Sequence, residues 1–526
     1  MGGAEGVYGF LDGNRAFRGG LVRSRGRLIR RLGRHLLSPI GEGIVFPWGT
    51  GVDRRTGFVV FWYRLFKKKA GVVRRMSRLF VKEKSFYRLI LSIAVPVVLQ
   101  NMITIGVNIM DTMMLGSYGE IQLSASSLAN EFINIYHIMC MGMSMGAAVL
   151  TAQFFGMKDN VSLKKSVTIM LRMGLLIAAV FTAATIAAPD AIMRLYTPDE
   201  AVIMMGVKYF RISAVTYVLL GVSLMLTNIL RTVRQVRFPL LLSIVTFFVN
   251  IFFNWVFIYG NLGAPEMQIE GAALGTVIAR VVECGALSVY FFGIDKRIGY
   301  RVRDFFTKCG DLVRTYVTYA LPVMVSDTLL ALGNSAMSVI MGHIGSGFVA
   351  ANSIISQVVR LSTVFNQGLS SASSVITGNT LGAGERDKAY HQGVTFLSLS
   401  VLIGLAAAVV ILIVSPFIVE SFNVTAETKA IAYQLMYAVS IMMVFQTVQG
   451  VLTKGVLRGG GDTRFLMLAD MLFLWLASIP LGYLCGLVWK LDAFWVYAAL
   501  KVDWIIKSIW CIFRLKSKKW IRVVSD

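Results

Sequence analysis

The sequence predicts an all-α polytopic membrane protein, with twelve transmembrane helices in two six-helix bundles related by a parallel internal repeat whose axis lies along the membrane normal. Three observations predict it. Hydrophobic residues make up 56% of the 526 and charged residues only 15%, against roughly 25% charged in an ordinary soluble domain. The apolar residues come in unbroken runs of about 20 or more, enough to cross a bilayer. The chain also matches itself at a shift of 226 residues. The first observation excludes a soluble enzyme. The second excludes a transmembrane β-barrel, whose strands are short and alternate in polarity.

From Ser85 onward the runs are 88–115, 123–155, 165–188, 205–231, 236–260, 269–293, 312–342, 349–382, 391–416, 428–457, 464–488 and 492–514. The segments that fall together on one side (76–88, 156–166, 231–237, 294–311, 383–390, 458–464 and 514–526) carry 24 Lys or Arg. The other side carries three: Arg194, Lys429 and Lys490. This asymmetry predicts that the basic side, with both termini, is cytoplasmic. The formal charge of +24 is thereby assigned to topology and lipid headgroups, and nucleic acid is not expected as a partner.

Residues 1–75 hold 16 Lys or Arg and four Asp or Glu, and their longest apolar piece, Phe58 to Tyr63, is too short to span. Two readings stand: a basic arm on anionic headgroups, or a dispensable stretch that is either a disordered extension or lies upstream of a natural start at Met76. The five cysteines show no paired spacing and four lie in apolar runs, so neither a disulfide framework nor a zinc site is expected. The four histidines are scattered, and no nucleotide-binding glycine loop is present, so no cofactor is expected.

The 226-residue shift pairs Pro96 with Pro322, Gly116 with Gly342, Gly119 with Gly345, Gly142 with Gly368 and Gly156 with Gly382. One further residue of shift pairs Pro189 with Pro416 and Arg231 with Arg458. The expected organisation is an amino-terminal six-helix bundle at 76–293, a linker at 294–311 and a carboxy-terminal bundle with a basic tail at 312–526. Six crossings is an even number, so both copies enter from the same side, an arrangement found in secondary transporters whose halves rock about a central site.

Several separated pieces resemble the multidrug and toxic compound extrusion (MATE) family of antiporters over Ser85 to Trp520. These are Ala94-Val95-Pro96 with Val107 to Gly116; Gly142 to Gly156, ending Thr151-Ala152-Gln153-Phe154-Phe155-Gly156; and Asn250-Ile251-Phe252-Phe253-Asn254 through Ile258-Tyr259-Gly260 to Glu270 to Thr276, then Arg280 and Glu283. Leu457 to Arg464 completes the set. The resemblance implies export of organic, cationic amphipathic compounds in exchange for H+ or Na+, by a monomer in the plasma or bacterial inner membrane. Its expected partners are small-molecule substrates and membrane lipids. The alternative is a lipid-linked oligosaccharide flippase of related fold, which would need a cationic central cavity; Arg280, Arg360 and Lys501 are the main basic residues near the midplane.

Asp111 lies roughly 22 residues into the first span, toward its outer half, and a carboxylate there is costly when charged. By resemblance it matches the family's coupling aspartate. Glu131 in the second span and Asp327 in the seventh are further ion-coupling candidates. Asn250 and Asn254, four residues apart, share a helix face. They are expected in the cavity with Gln357, the repeat partner of Glu131, and with Met139 and Met143, whose flexible thioethers suit varied ligands. Some branches of the family carry an aspartate where Asn254 stands, and the tenth span holds no acid, so the resemblance does not transfer a complete sodium site. Arg280 with Glu283, at i,i+3, and Asp503 with Lys507, at i,i+4, have the spacing of structural ion pairs. Asp470, six residues past Arg464, is expected near the cytoplasmic surface. Pro96 and Pro322 interrupt the helical hydrogen-bond ladder, as hinges or as fixed kinks.

Overall fold

The computed structural model describes residues 80–422 and 424–524. The chain divides after Arg75, and the described residues all fall in the second unit. Both readings of residues 1–75 lie outside the described residues.

The first half opens with α1 (Lys84–Gly116), α2 (Glu120–Met157) and α3 (Asn160–Ala187). A short helix, Pro189–Arg194, leads to α4 (Glu200–Ser213) and α5 (Thr216–Thr232), which together form one crossing bent by 56°. The half closes with α6 (Arg237–Tyr259) and α7 (Gln268–Ile294). The second half contains α8 (Gly310–Ile344), α9 (Ser346–Gly382), α10 (Arg386–Ser421), α11 (Ala426–Leu457), α12 (Thr463–Val488), α13 (Ala493–Leu500) and α14 (Val502–Lys516).

Helix starts follow local chemistry. Asp159 accepts hydrogen bonds from the backbone N–H groups of Val161 and Ser162 (both 3.1 Å), and Asp199 accepts from Ala201 N (2.9 Å). Both satisfy donors that the first turn cannot use. Gly119 and Gly345 precede α2 and α9 with φ of 148° and 150°, a conformation open to glycine alone at little cost. The repeat is thus visible in turn geometry as well as in sequence.

Ten of the described helices are long and apolar enough to span a membrane, and the bent α4–α5 pair makes eleven. The predicted twelfth span, 492–514, breaks at Lys501 into helices of 8 and 15 residues. Neither alone has the ~20 residues a crossing needs, but the two are consecutive and together return the chain to the side where its tail meets Gln153. The break falls where Lys501, Asp503 and Lys507 interrupt the apolar run. Pro96 and Pro322 lie inside unbroken helices.

The segment between the halves is docked. Asp295 accepts from Gln235 Nε2 (2.7 Å) and Ile298 N (3.0 Å), Lys164 Nζ lies 2.9 Å from Asp304 Oδ2, and the hydroxyls of Tyr300 and Thr168 share a 2.8 Å hydrogen bond. This end of the bundle is called the linker side below, and the opposite end the far side.

On the linker side the halves interpenetrate. Phe86, Ile90 and Ile93 of α1 join an apolar core with Leu369, Val375 and Phe396 of the second half. Reciprocally, Tyr316 and Ala320 of α8 join the core of the first half. Close approach is made by glycine. A methyl at Gly142 would lie 2.8 Å from Met324 Cα, and one at Gly146 would overlap the Cα of Ala320. At Gly368 it would lie 2.9 Å from Ala94 O, and at Gly156 3.0 Å from Gly382 Cα. In a lipid setting, where apolar side chains gain little by leaving lipid for protein, such backbone contact is a main source of helix association.

Gly146→Val is therefore expected to force α2 and α8 apart at a cost of about 1–3 kcal/mol, read as a lower unfolding temperature in detergent. Gly342→Val, at a glycine with open space around its added methyl, serves as the control that leaves the temperature unchanged.

Candidate functional site

Polar residues exposed on α1, α2, α8 and α9 mark the space between the halves on the far side. Asn108 and Thr112 are exposed on α1, and Ser127, Glu131 and Asn134 on α2. Asn334 and Ser338 are exposed on α8, and Ser353, Gln357 and Arg360 on α9. The 226-residue shift relates each residue of the first half to one of the second: Asn108 to Asn334, Thr112 to Ser338, Ser127 to Ser353, Glu131 to Gln357 and Asn134 to Arg360. Side chains of this polarity on spanning helices face water or protein, not hydrocarbon. Two symmetry-related polar walls therefore line a cleft between the halves.

Behind the first wall, α1, α6 and α7 bring together three of the predicted residues. Asn254 Nδ2 donates to Asp111 Oδ1 (2.5 Å) and lies 3.3 Å from Asn250 Oδ1. Asn254 is fully buried, Asn250 nearly so, and Asp111 only partly. Asn254 can sit there because Gly275 of α7 has no side chain: an added methyl would overlap Asn254 Oδ1. That oxygen is buried and has no hydrogen-bond donor among the described residues. A small cavity of about 80 Å³ adjoins the trio, lined by Thr104, Asn108, Ser243, Asn250, Arg280 and Glu283 among others. Arg280 Nη1 lies 2.6 Å from Glu283 Oε2, so the cavity wall carries a neutralised pair beside the Asp111 carboxylate.

The equivalent place in the second half is filled. A shift of 227 residues carries Ser243, Thr276 and Arg280 to Asp470, Asp503 and Lys507. The Lys507 ammonium lies 3.0 Å from Asp470 Oδ1 and 3.0 Å from Asp503 Oδ2. Ser326 donates to the other Asp470 oxygen (2.5 Å) and Ser478 to the other Asp503 oxygen (2.9 Å). All five residues are buried. Asp470 is thus buried inside the bundle, where Lys507 and Ser326 compensate its charge.

The other predicted residues are dispersed. Glu131 and Gln357 stand exposed on their walls, and Glu131 hydrogen-bonds none of the Asp111 trio. Asp327 faces Arg458 Nη2 at 3.4 Å, so it is answered by a guanidinium and is not an open cation contact. Met143 is not in the cavity. It packs in the core of the first half with Met170 and Met225, since its side of α2 faces α3 and α5. Met139 is partly exposed. Sequence reasoning missed Asn108, Asn134, Asn334 and Ser338, although the shift that paired the glycines also pairs these. Among the described residues no group of three His, Cys, Asp or Glu side chains is placed to hold a metal ion.

A family model described as MatE matches this chain twice, over residues 96–256 and 322–484, together more than half its length. The chain belongs to the MatE family. The two matches begin at Pro96 and Pro322, the prolines paired by the repeat. Among curated MatE relatives, a probable multidrug resistance protein NorM of Thermotoga maritima is 22% identical over 434 residues, covering 82% of this chain and 92% of that protein. Another NorM, of Agrobacterium fabrum, is 24% identical over 422 residues, covering 76% and 88%. A MATE crystal structure in a bent conformation superimposes with a TM-score of 0.75 at 16% identity, covering 82% of this chain and 96% of that one. An outward-facing multidrug resistance MATE transporter of the MOP superfamily superimposes with a TM-score of 0.73 at 17%, covering 84% and 99%. This multi-pass membrane protein thus has the MATE fold along nearly the whole length of the known structures.

Two substitutions test the site. Gly275→Ala is expected to push Asn254 off Asp111 and, at about 1.5–3 kcal/mol for a hydrogen bond to a charged group, to lower the unfolding temperature of the purified protein in detergent. Lys507→Met leaves two buried carboxylates facing each other and is expected to destabilise the fold by about 3–5 kcal/mol. Adding Asp470→Asn and Asp503→Asn should restore most of the lost thermal stability.

Proposed function

We propose that the protein is a secondary active antiporter that exports organic, cationic amphipathic compounds in exchange for H+ or Na+. The halves 76–293 and 312–526, joined by the linker 294–311, rock to expose the cleft alternately to the two sides of the cell membrane, with the linker side cytoplasmic. Pro96 and Pro322 serve as hinges. The observation that carries the reading is the partly exposed Asp111 carboxylate held by Asn254, whose own buried oxygen lacks a donor. An acid and an orphaned acceptor at membrane depth form a receptor for a proton or a small monovalent cation. With Asp111 charged, the cleft attracts a cationic compound; ion binding from the far side cancels that charge and releases the compound. Glu131 and Asp327 supply further negative charge, the latter once it parts from Arg458. The MatE family assignment and the multidrug names of the relatives support the same reading.

The flippase alternative is less well supported. Of Arg280, Arg360 and Lys501, Arg280 faces Glu283 at 2.6 Å, so only Arg360 and Lys501 are left to supply positive charge for a pyrophosphate group.

Vesicles containing the protein should expel a cationic dye when given a proton gradient alone or a sodium gradient alone, and whichever drives it identifies the ion. Asp111→Asn should reduce efflux to the level of empty vesicles while membrane insertion is unchanged. Efflux that persists at the unsubstituted rate would refute the role of Asp111.

A further inference from the structure

Gln153 of α2 and Asn379 of α9 are related by the same 226-residue shift as Gly156 and Gly382, and the transport chemistry above uses neither. Both are buried on the linker side. Each directs both ends of its amide at the opposite half or at a segment tied to it. Gln153 Nε2 donates to Arg522 O (3.0 Å) and reaches Gly459 O (3.5 Å), while its Oε1 accepts from Val524 N (2.9 Å). Asn379, oriented to satisfy both ends, donates from its nitrogen to Ala152 O (2.8 Å) and accepts at its oxygen from Arg234 Nε (3.0 Å). Gly459 follows α11 and Arg234 follows α5, which are equivalent turns of the two halves. The two amides therefore make a reciprocal clasp where Gly156 and Gly382 bring the backbones together.

One arm of the clasp is the chain's own tail. Trp520 is buried in the second half, its indole N–H donating to Leu515 O (3.1 Å). Arg522 N donates to Gly460 O (3.0 Å), and Arg522 Nη2 lies 3.1 Å from Asp462 Oδ1. The tail is thus fastened to the second half and presents Arg522 O and Val524 N to Gln153 as an extended edge. A primary amide matches that edge, with one donor and one acceptor on the same side.

We propose that Gln153, Asn379 and the tail segment 520–524 form a latch that holds the linker side shut and sets the balance between the two facing states of the transporter. The inference rests on the rocking motion of the proposed antiport. Rocking open parts α2 from α9, so both amides must leave their partners together. In the closed state they are shielded from water, where an unmade hydrogen bond is expensive; in the open state water replaces the lost partners. The latch is therefore firm when shut and releasable once water enters, which a purely apolar contact in lipid would not provide.

The test measures distance directly. Spin labels are placed on cysteines introduced at the exposed positions Asn160 and Glu385, one in the α2–α3 turn and one in the α9–α10 turn. The five native cysteines are replaced by alanine and the full chain is reconstituted in lipid nanodiscs. The unsubstituted chain should show mainly a short distance. Gln153→Leu combined with Asn379→Leu should raise the ratio of long to short distances by roughly fivefold or more. A chain ending after Ile521, which keeps Trp520 and Gly459 but loses the Gln153 partners Arg522 O and Val524 N, should shift the same way by a smaller amount, and it decides the matter if the double variant fails to fold. Coincident distributions in the unsubstituted and shortened chains would overturn the latch. Dye efflux is measured in parallel: a distance shift without efflux in any chain would support the latch and count against antiport.

Discussion

Backbone contact between the halves at glycine is the constraint on which the rest of the structure depends. A membrane removes most of the hydrophobic drive for helix association, so helices stay together through close packing and internal hydrogen bonds. Here the glycines at 142, 146 and 156 of α2, and at 368 and 382 of α9, let helices of one half touch the main chain of the other. The contacts lie toward one end of the bundle. At that end apolar cores mix residues from both halves, and at the other end the same helices carry exposed polar side chains. Interlocked packing at one side and exposed polar side chains at the other thus accompany where the glycines fall along α2 and α9.

The two halves share a backbone plan but treat the same interior position in opposite ways. In the first, Ser243, Thr276 and Arg280 leave a small cavity next to Asp111 and Asn254. In the second, Asp470, Asp503 and Lys507 stand at the matching positions and neutralise one another. Desolvation explains why there is so little middle ground. A charge at this depth is tolerated only if paired, hydrogen-bonded or reached by water. The second half takes the first two routes, and the first half keeps Asp111 within reach of the cleft. The asymmetry leaves a partly exposed carboxylate at Asp111 in the first half and a self-neutralised cluster in the second.

Much of this architecture was legible from the chain alone, and the parts that were not have a common cause. Spans, turns and the repeat depend on local polarity and on single residues such as Gly119 and Gly345, whose backbone requirement is the same wherever they occur. Short-range pairs such as Arg280 with Glu283 are set by helix geometry. Misreadings arose where the answer depended on a partner distant in sequence. Asp470 was placed only by its distance from Arg464, which says nothing of burial; its partners, Lys507 and Ser326, come from helices before and after it. The neighbour of Asp327, Arg458, is 131 residues away and could not be read from the local sequence. Met143 looked like cavity lining because alternation along a helix does not say which face meets the protein core.

By itself, the sequence determined the membrane class, the duplicated helical plan, the turns that repeat it and the intrahelical ion pairs, since each follows from hydropathy, backbone sterics or a fixed helical spacing. Only the tertiary structure decided that Asn254 holds Asp111, that the second-half equivalent is self-neutralised, and that the last predicted span is broken. It alone showed that Gln153 and Asn379 bind across the linker side. Those outcomes depend on which helices meet and how closely, and the distance between two side chains remote in sequence is a property of packing that no local pattern encodes.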